Sequence, residues 1–471
     1  MANPTSPPWP PCGDGADSTS DRVGCRGVHV RGYDRCLAHL DPDDRAAYLA
    51  TLSPGTNVDH RGTPFTESLL TALLRPLHDL ATNRYLLGIA QFDGATFTGD
   101  AWFNNATFTL GRFNEATFTG DAWFSGATFT DDVWFGGATF KQKAQFKGAT
   151  FTGEAQFGGA TFTGDAQFGG GTFPGDALFG GATFTGDAQF DGATFKCAPS
   201  FCGATFEQGA WFYGATFAVS SSLGPLTASG RTISLNNAVF EAPVTIEIAA
   251  AKVVCKRTRW ESTATLRFRY ASVDLSDAVL SSPVAIVAHP APFAEACGDA
   301  LDEQSLASTA CGVRVTSLRG VDAAHLVLTD VDLSECQFSG AFHLDRLRLE
   351  GNCKFAYPPE RPRWTRRRVL AEEHHWRALM PGNPAAPRGW TPGPHHPDVA
   401  VTPGPDELAS VYRALRKATE DAKNEPDAAD FYYGEMAMRR HDRARPCGER
   451  TLLTVYWALS GYGLRALRAL G

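Results

Sequence analysis

Between positions 90 and 217 the apolar residues return on a short, fixed step. Phe stands at 92, 97, 103, 108, 113, 118 and 124 and so on to 212 and 217, always five or six residues from the last. These 128 residues hold 24 Phe, and two places before each is a small residue: Ala in 20 cases, otherwise Gly111, Val133, Gly171 or Pro199. In an extended chain residues i and i−2 share a face and i−1 takes the other, so Phe and Ala point inward together. A self-similarity of this kind predicts a stack of like units in place of a globular core. The clearest copies read ATFTGDAQFGG, an 11-residue double unit, so one coil should take 22 residues.

These small-x-Phe-x-x units resemble the pentapeptide-repeat family, and the resemblance covers residues 90–217. It implies a mainly β fold: a right-handed four-sided β-helix with a small α N-terminal cap and an α-helical C-terminal tail. The chain departs from the plain repeat by one extra residue in every second unit, which predicts bulges at two opposite corners. At ~4.8 Å per strand, about six coils make a rod of roughly 29 Å.

Counting by coils assigns the outer surface. Two walls carry Thr ladders, 96-117-139-161-183-205 and 107-128-150-172-194-216. A third carries Gln91, Arg112, Trp134, Gln156, Leu178 and Ser200; the fourth carries Trp102, Trp123, Gln145, Gln167, Gln189 and Trp211. Trp102 and Trp123 are expected to stack, and with Trp134 and Trp211 they form a candidate interaction surface. The competing reading of the Trp pair is cross-strand packing that covers a thin wall.

The extra residues form corner columns: Asp100, Asp121, Lys143, Asp165 and Asp187 on one edge, Asp132, Glu154 and Asp176 on the other. Residues 90–217 hold 12 acids and 5 bases, a net of −7 against −8 for the whole chain. Solvated turn corners explain this. The resemblance adds an alternative, a mimic of the DNA charge track that regulates DNA gyrase, although Lys143 breaks the column. Mild acidity argues against a protein that itself binds nucleic acid.

Residues 1–40 hold Cys12, Cys25, Cys36 and His39. Three thiolates and an imidazole suit tetrahedral zinc. Cys36-x2-His39 is a workable half-site, the other half is irregular, and His29 is a substitute ligand. The alternative is small buried cysteines beside a surface histidine. The form CxGxxVxGxxxCLAHL resembles the head of actinobacterial-type pentapeptide-repeat proteins, which implies a small folded cap. The opening MANPTSPPWPPC has no basic or apolar signal region, which points to cytoplasmic synthesis and reduced thiols.

Residues 41–88 are expected to be a helical cap, with Asp41 as N-cap, Pro42 at N1 and Ala46, Leu49 and Leu52 apolar. A second helix from Thr66 places Leu69, Leu70, Leu73, Leu74 and Leu77 on one face and should seal the first coil of the regular β-helix, 89–217. Residues 218–356 read as degenerate coils: Leu328, Leu333, Phe338, Leu344 and Leu349 keep the step, with Leu326, Val331, Cys336, Phe342 and Leu347 two places before them. Cys297 and Cys311 flank an insertion. Residues 357–405 are a Pro-rich linker around a short helix, where His374, His375, His395 and His396 read as solvated.

Residues 406–440 form a helical hairpin and 441–471 a basic, aromatic terminal helix. DFYYGEMAMRR and YWALSGYGLRALRAL resemble the segment that follows the repeats in membrane-linked relatives, which implies transmembrane helices beyond; here the sequence ends at Gly471. The apolar run 451–464 is too short to span a bilayer. Tyr456, Trp457, Tyr462, Arg465 and Arg468 suit an anionic membrane surface; a helix docked on the hairpin is the alternative. Phosphate loops, nucleophile elbows and HExxH motifs are absent. The expectation is a non-catalytic scaffold for an unidentified protein partner, cytoplasmic or peripheral at the inner face of the plasma membrane.

Overall fold

The computed structural model describes residues 7–17, 21–219, 221–294, 300–306, 312–359, 367–379, 390 and 402–464. Two compact units form, 1–251 with 292–306 and 252–291 with 307–471.

The first unit is a parallel β-solenoid. All 24 Phe from 92 to 217 are at most 1% exposed. Strands of two residues, Thr-Phe or Ala-x, pair in parallel with their counterparts one coil on: Thr117 with Thr139, Ala122 with Ala144, Thr128 with Thr150 and Val133 with Ala155. The step is the expected 22 residues, except in the leading coils, where Thr96 pairs with Thr117 and Thr107 with Thr128 at 21.

Exact register brings ring onto ring. Phe140 and Phe162 lie 4.9 Å apart and 1° from parallel, while neighbouring columns meet edge to face, as in Phe146 and Phe157 at 82°. Such pairs add ~0.5–1.5 kcal/mol each beyond area burial.

Pairing starts ahead of the Phe run. Val58–Asp59 pairs with Ala90–Gln91 and Pro64–Phe65 with Thr96–Phe97, so Phe65 stacks on Phe97 at 5.3 Å. The expected helical cap over 41–88 is therefore helices plus a leading half-coil. Helix α1 (Pro42–Leu49) buries none of its residues and Asp41 makes no side-chain cap; Leu52 beyond it is buried. Helix α2 (Glu67–Leu74) buries Leu69, Leu70, Leu73 and Leu74, and Thr66 Oγ1 accepts the Leu69 N–H. The Arg61 carbonyl of the leading turn accepts the N–H of Val28, so the Cys/His segment shares in closing this end. Beyond Phe217 the stack goes on with Phe240, 4.6 Å from Phe217.

The second unit keeps parallel pairing with longer strands: Ala264–Arg269 beside Val284–Ala288, then Leu326–Thr329, then Arg348–Glu350. Leu328, Leu333, Phe338 and Leu344 are buried as the step predicts, but Phe342 is 60% exposed. The six-residue step from Phe338 to Leu344 is taken up by His343 at φ 49°, a left-handed turn that leaves Phe342 outside.

Four helices complete this unit: α3 (Ala371–Leu379), α4 (Pro405–Asp421), α5 (Glu425–His441) and α6 (Cys447–Ser460). The α4–α5 hairpin buries Leu408, Val411, Tyr412, Leu415, Phe431 and Met436, with Asn424 capping α5. Glu373 on α3 is fully buried and accepts bonds from Arg367, Arg377 and Tyr412. Burial alone would raise its pKa; Arg367 and Arg377 hold it well below the usual range. The α3 histidines are packed and not solvated as expected: His375 is 3% exposed and His374 Nε2 lies 3.0 Å from the Tyr357 carbonyl. Cys297, Cys311, His395, His396, Arg465 and Arg468 lie outside the described residues.

A ring lost from mid-stack leaves a hole between two coils that cannot collapse without breaking register. Phe146→Ala should cost ~3–5 kcal/mol in urea unfolding, and Gln145→Ala beside it, on the outer wall, within about 0.5 kcal/mol.

Candidate functional site

Cys12, Cys25, Cys36 and His39 converge. One ligand atom from each lies within 4.8 Å of all the others. Cys12 and Cys25 are far apart in sequence but adjacent in space because their segments pair: the N–H of Cys12 donates to Gly27 O, and that of Gly13 to Cys25 O. Cys36 and His39 are joined by a tight turn in which the His39 N–H donates to Cys36 O. Sγ of Cys25 is 3.6 Å from Sγ of Cys36; His39 Nδ1 is 3.3 Å from Cys36 Sγ and 3.6 Å from Cys12 Sγ. A tetrahedron with arms of ~2.3 Å has edges of ~3.8 Å, so these spacings are those of one shared metal ion. His29 is not in the cluster.

The surroundings fit a metal too. His39 turns Nδ1 to the sulfurs and Nε2 to Asp14 Oδ2 at 3.5 Å, the carboxylate support that orients a ligating imidazole. A Cβ on Gly27 would stand 2.6 Å from Cys36 Cβ and 2.8 Å from its Sγ, so a side chain there would fill the space between the ligands. Without a cation the thiols compete for charge. The hydrogen bond between Cys36 and Cys25 draws Cys25 down to about 5, and the same bond with burial pushes Cys36 up. Asp14 and Gly27 were not read as site residues from the sequence. Gly27 in CRG carried a signal; Asp14 is one acid among several in its loop.

On the outer wall Trp102 and Trp123 stack at 4.8 Å and 9°. Trp102 is 38% exposed and donates to Glu67 Oε1 of α2 at 3.0 Å. Trp134, on a different wall, lies under the Arg112 guanidinium at 5.6 Å, and Trp211 follows Gln189 one coil later. The four tryptophans thus occupy two ladders and do not form one patch.

The corner acids do structural work. Oδ1 of Asp100 accepts the N–H of Asp121, Asp121 that of Lys143, Asp165 that of Asp187, Asp187 that of Gly209 and Asp132 that of Glu154, at 2.8–3.3 Å. They are half-buried, not freely solvated; Asp176 is exposed.

In the second unit α6 divides the expected membrane-proximal group. Trp457 donates to Tyr433 OH at 2.9 Å with Arg440 over its ring, and Tyr462 is 1% exposed. The left-handed Gly461 turns the chain back and seats Tyr462 against Tyr433 and Tyr456. Leu452, Val455, Tyr456 and Leu459 face outward, 39–69% exposed, on one helical stripe.

Coils filled inside by rings and methyl groups, with polar ladders outside, define a non-catalytic repeat scaffold of the β-solenoid class. A family model described as pentapeptide repeats (9 copies) matches residues 85–128, 124–172 and 179–223, and the chain belongs to the pentapeptide-repeat family. No curated protein and no solved structure matches the chain.

If the corner carboxylates serve as backbone acceptors, their charge is dispensable and their oxygen is not. Asp121→Asn should change urea stability by less than about 0.5 kcal/mol, and Asp121→Ala should cost ~1 kcal/mol.

Proposed function

We propose that this protein is a non-catalytic interaction scaffold whose solenoid presents its outer ladders to a protein partner. A structural zinc closes its N-terminal module, and α6 rests on an anionic membrane surface at the inner face of the plasma membrane. The observation that carries the reading is the complete burial of the repeat's Phe, which fills the coil interior and leaves the outer ladders as the surface to act through.

The zinc reading rests on the ligand cluster and its Asp14 support. Metal analysis of the purified chain should find one zinc, and Cys25→Ser and Cys36→Ser should each lose it. A chain free of zinc, or variants that keep it, would remove this part of the reading.

The membrane reading rests on the exposed stripe of α6. From Thr451 to Leu464 there is no charged residue, while Arg439, Arg440, Arg443, Arg445 and Arg450 precede it. Apolar insertion yields ~1.5–3 kcal/mol per large side chain, and each arginine near an anionic surface ~1 kcal/mol. The full chain should float with vesicles containing phosphatidylglycerol and less with neutral ones. Leu452→Ser with Leu459→Ser should weaken this at least tenfold; equal flotation of the variant would reject α6 as the contact. The alternative of a gyrase-directed DNA mimic asks for a continuous row of unengaged carboxylates, whereas these columns are interrupted by Lys143 and tied to backbone N–H groups.

A further inference from the structure

A cavity of about 260 Å³ opens in the second unit beside the N-terminal turn of α4, lined among others by Arg319, Ser339, Glu372 and Glu407. It is far larger than the ~30 Å³ share of one bridging water. Its floor is unusual. Glu372 on α3 is 1% exposed, and its Oε1 accepts the backbone N–H groups of Phe338 and Ser339. Its Oε2 is buried with no hydrogen-bond partner among the described residues, and the enclosed Ser339 Oγ has none either. A buried carboxylate oxygen without a donor costs more than an ordinary unmade hydrogen bond. Burial, and then the nearby Glu407, push the Glu372 carboxyl up to about 7.

We propose that this cavity binds a small cationic α-amino acid, of the lysine class. Each lining group sets one part of the ligand. Glu372 Oε2 and Ser339 Oγ call for a multivalent N–H donor, which a primary ammonium supplies with three hydrogens. Arg319 makes no ion pair with a described residue and presents a planar fork that suits a carboxylate. Glu407, likewise without an ion pair among the described residues, leaves the lining with two carboxylates against one guanidinium. A ligand with two ammonium groups and one carboxylate balances that charge, and a divalent metal does not suit a wall that contains arginine.

The test is calorimetric titration of the full chain with L-lysine at pH 8, beside cadaverine, which has both amines and no carboxylate. Saturable binding of L-lysine is expected, with cadaverine at least tenfold weaker. Arg319→Gln, an exposed position whose side chain supports no other contact, should remove that preference, and Glu407→Gln should weaken L-lysine severalfold. Absence of saturable binding, equal binding of cadaverine, or unchanged affinity in both variants would overturn the proposal. Glu372→Gln keeps the acceptor for Phe338 and Ser339; if its circular dichroism matches wild type, retained affinity would also overturn it.

Discussion

Parallel stacking of each Phe on the Phe one coil away is the contact on which the first unit depends, because it forces exact register. Phe118 on Phe140 and Phe140 on Phe162 hold within 2° of parallel. A slip by one residue would exchange inward for outward along the whole strand. With the interior locked, every outer residue sits beside its equivalent: Thr on Thr, Gln145 on Gln167, Trp102 on Trp123. The ladders on the walls are thus a consequence of the core.

Locked register also places like charges side by side, and the corners show how the fold accommodates them. Each Asp in the column beginning at Asp100 uses Oδ1 to accept the N–H of the next coil's corner residue, so its negative charge is directed at a donor dipole and away from the next carboxylate. That geometry needs close approach. A Cβ on Gly175 would stand 2.2 Å from Gly153 O, and one on Gly186 2.5 Å from the Gly164 carbonyl carbon. The Gly-Asp and Gly-Glu pairs at the inserted positions are a matched set, glycine for the approach and the acid for the bond.

What was legible in the sequence follows from the same logic. A repeat states its own contacts: the two Thr ladders, both mixed ladders and the Trp pair could be listed by adding 22. The Cys/His cluster was legible by ligand type, because Cys12 and Cys25 meet through backbone pairing that no spacing rule encodes. Single interruptions were not legible. Phe342 keeps the apolar code yet faces out, since one left-handed residue after it reverses the face. Trp457 and Tyr462 look like surface aromatics until the turn at Gly461 folds one of them under the helix.

Where the repeat degenerates, charge takes over the specification of the core. In the second unit Glu373 is buried among Arg367, Arg377 and Tyr412, and Arg368 bonds Asp427 and the Cys353 carbonyl. Apolar packing of the same volume would serve stability as well or better, since desolvation offsets most of the gain of a buried ion pair. What the ions add is uniqueness of fit. An α-helix can slide on a greasy surface at small cost, but Glu373 loses all three donors if α3 shifts relative to α4 by one turn. A solenoid that has stopped repeating has no register of its own to impose on the helices against it, and this knot supplies one.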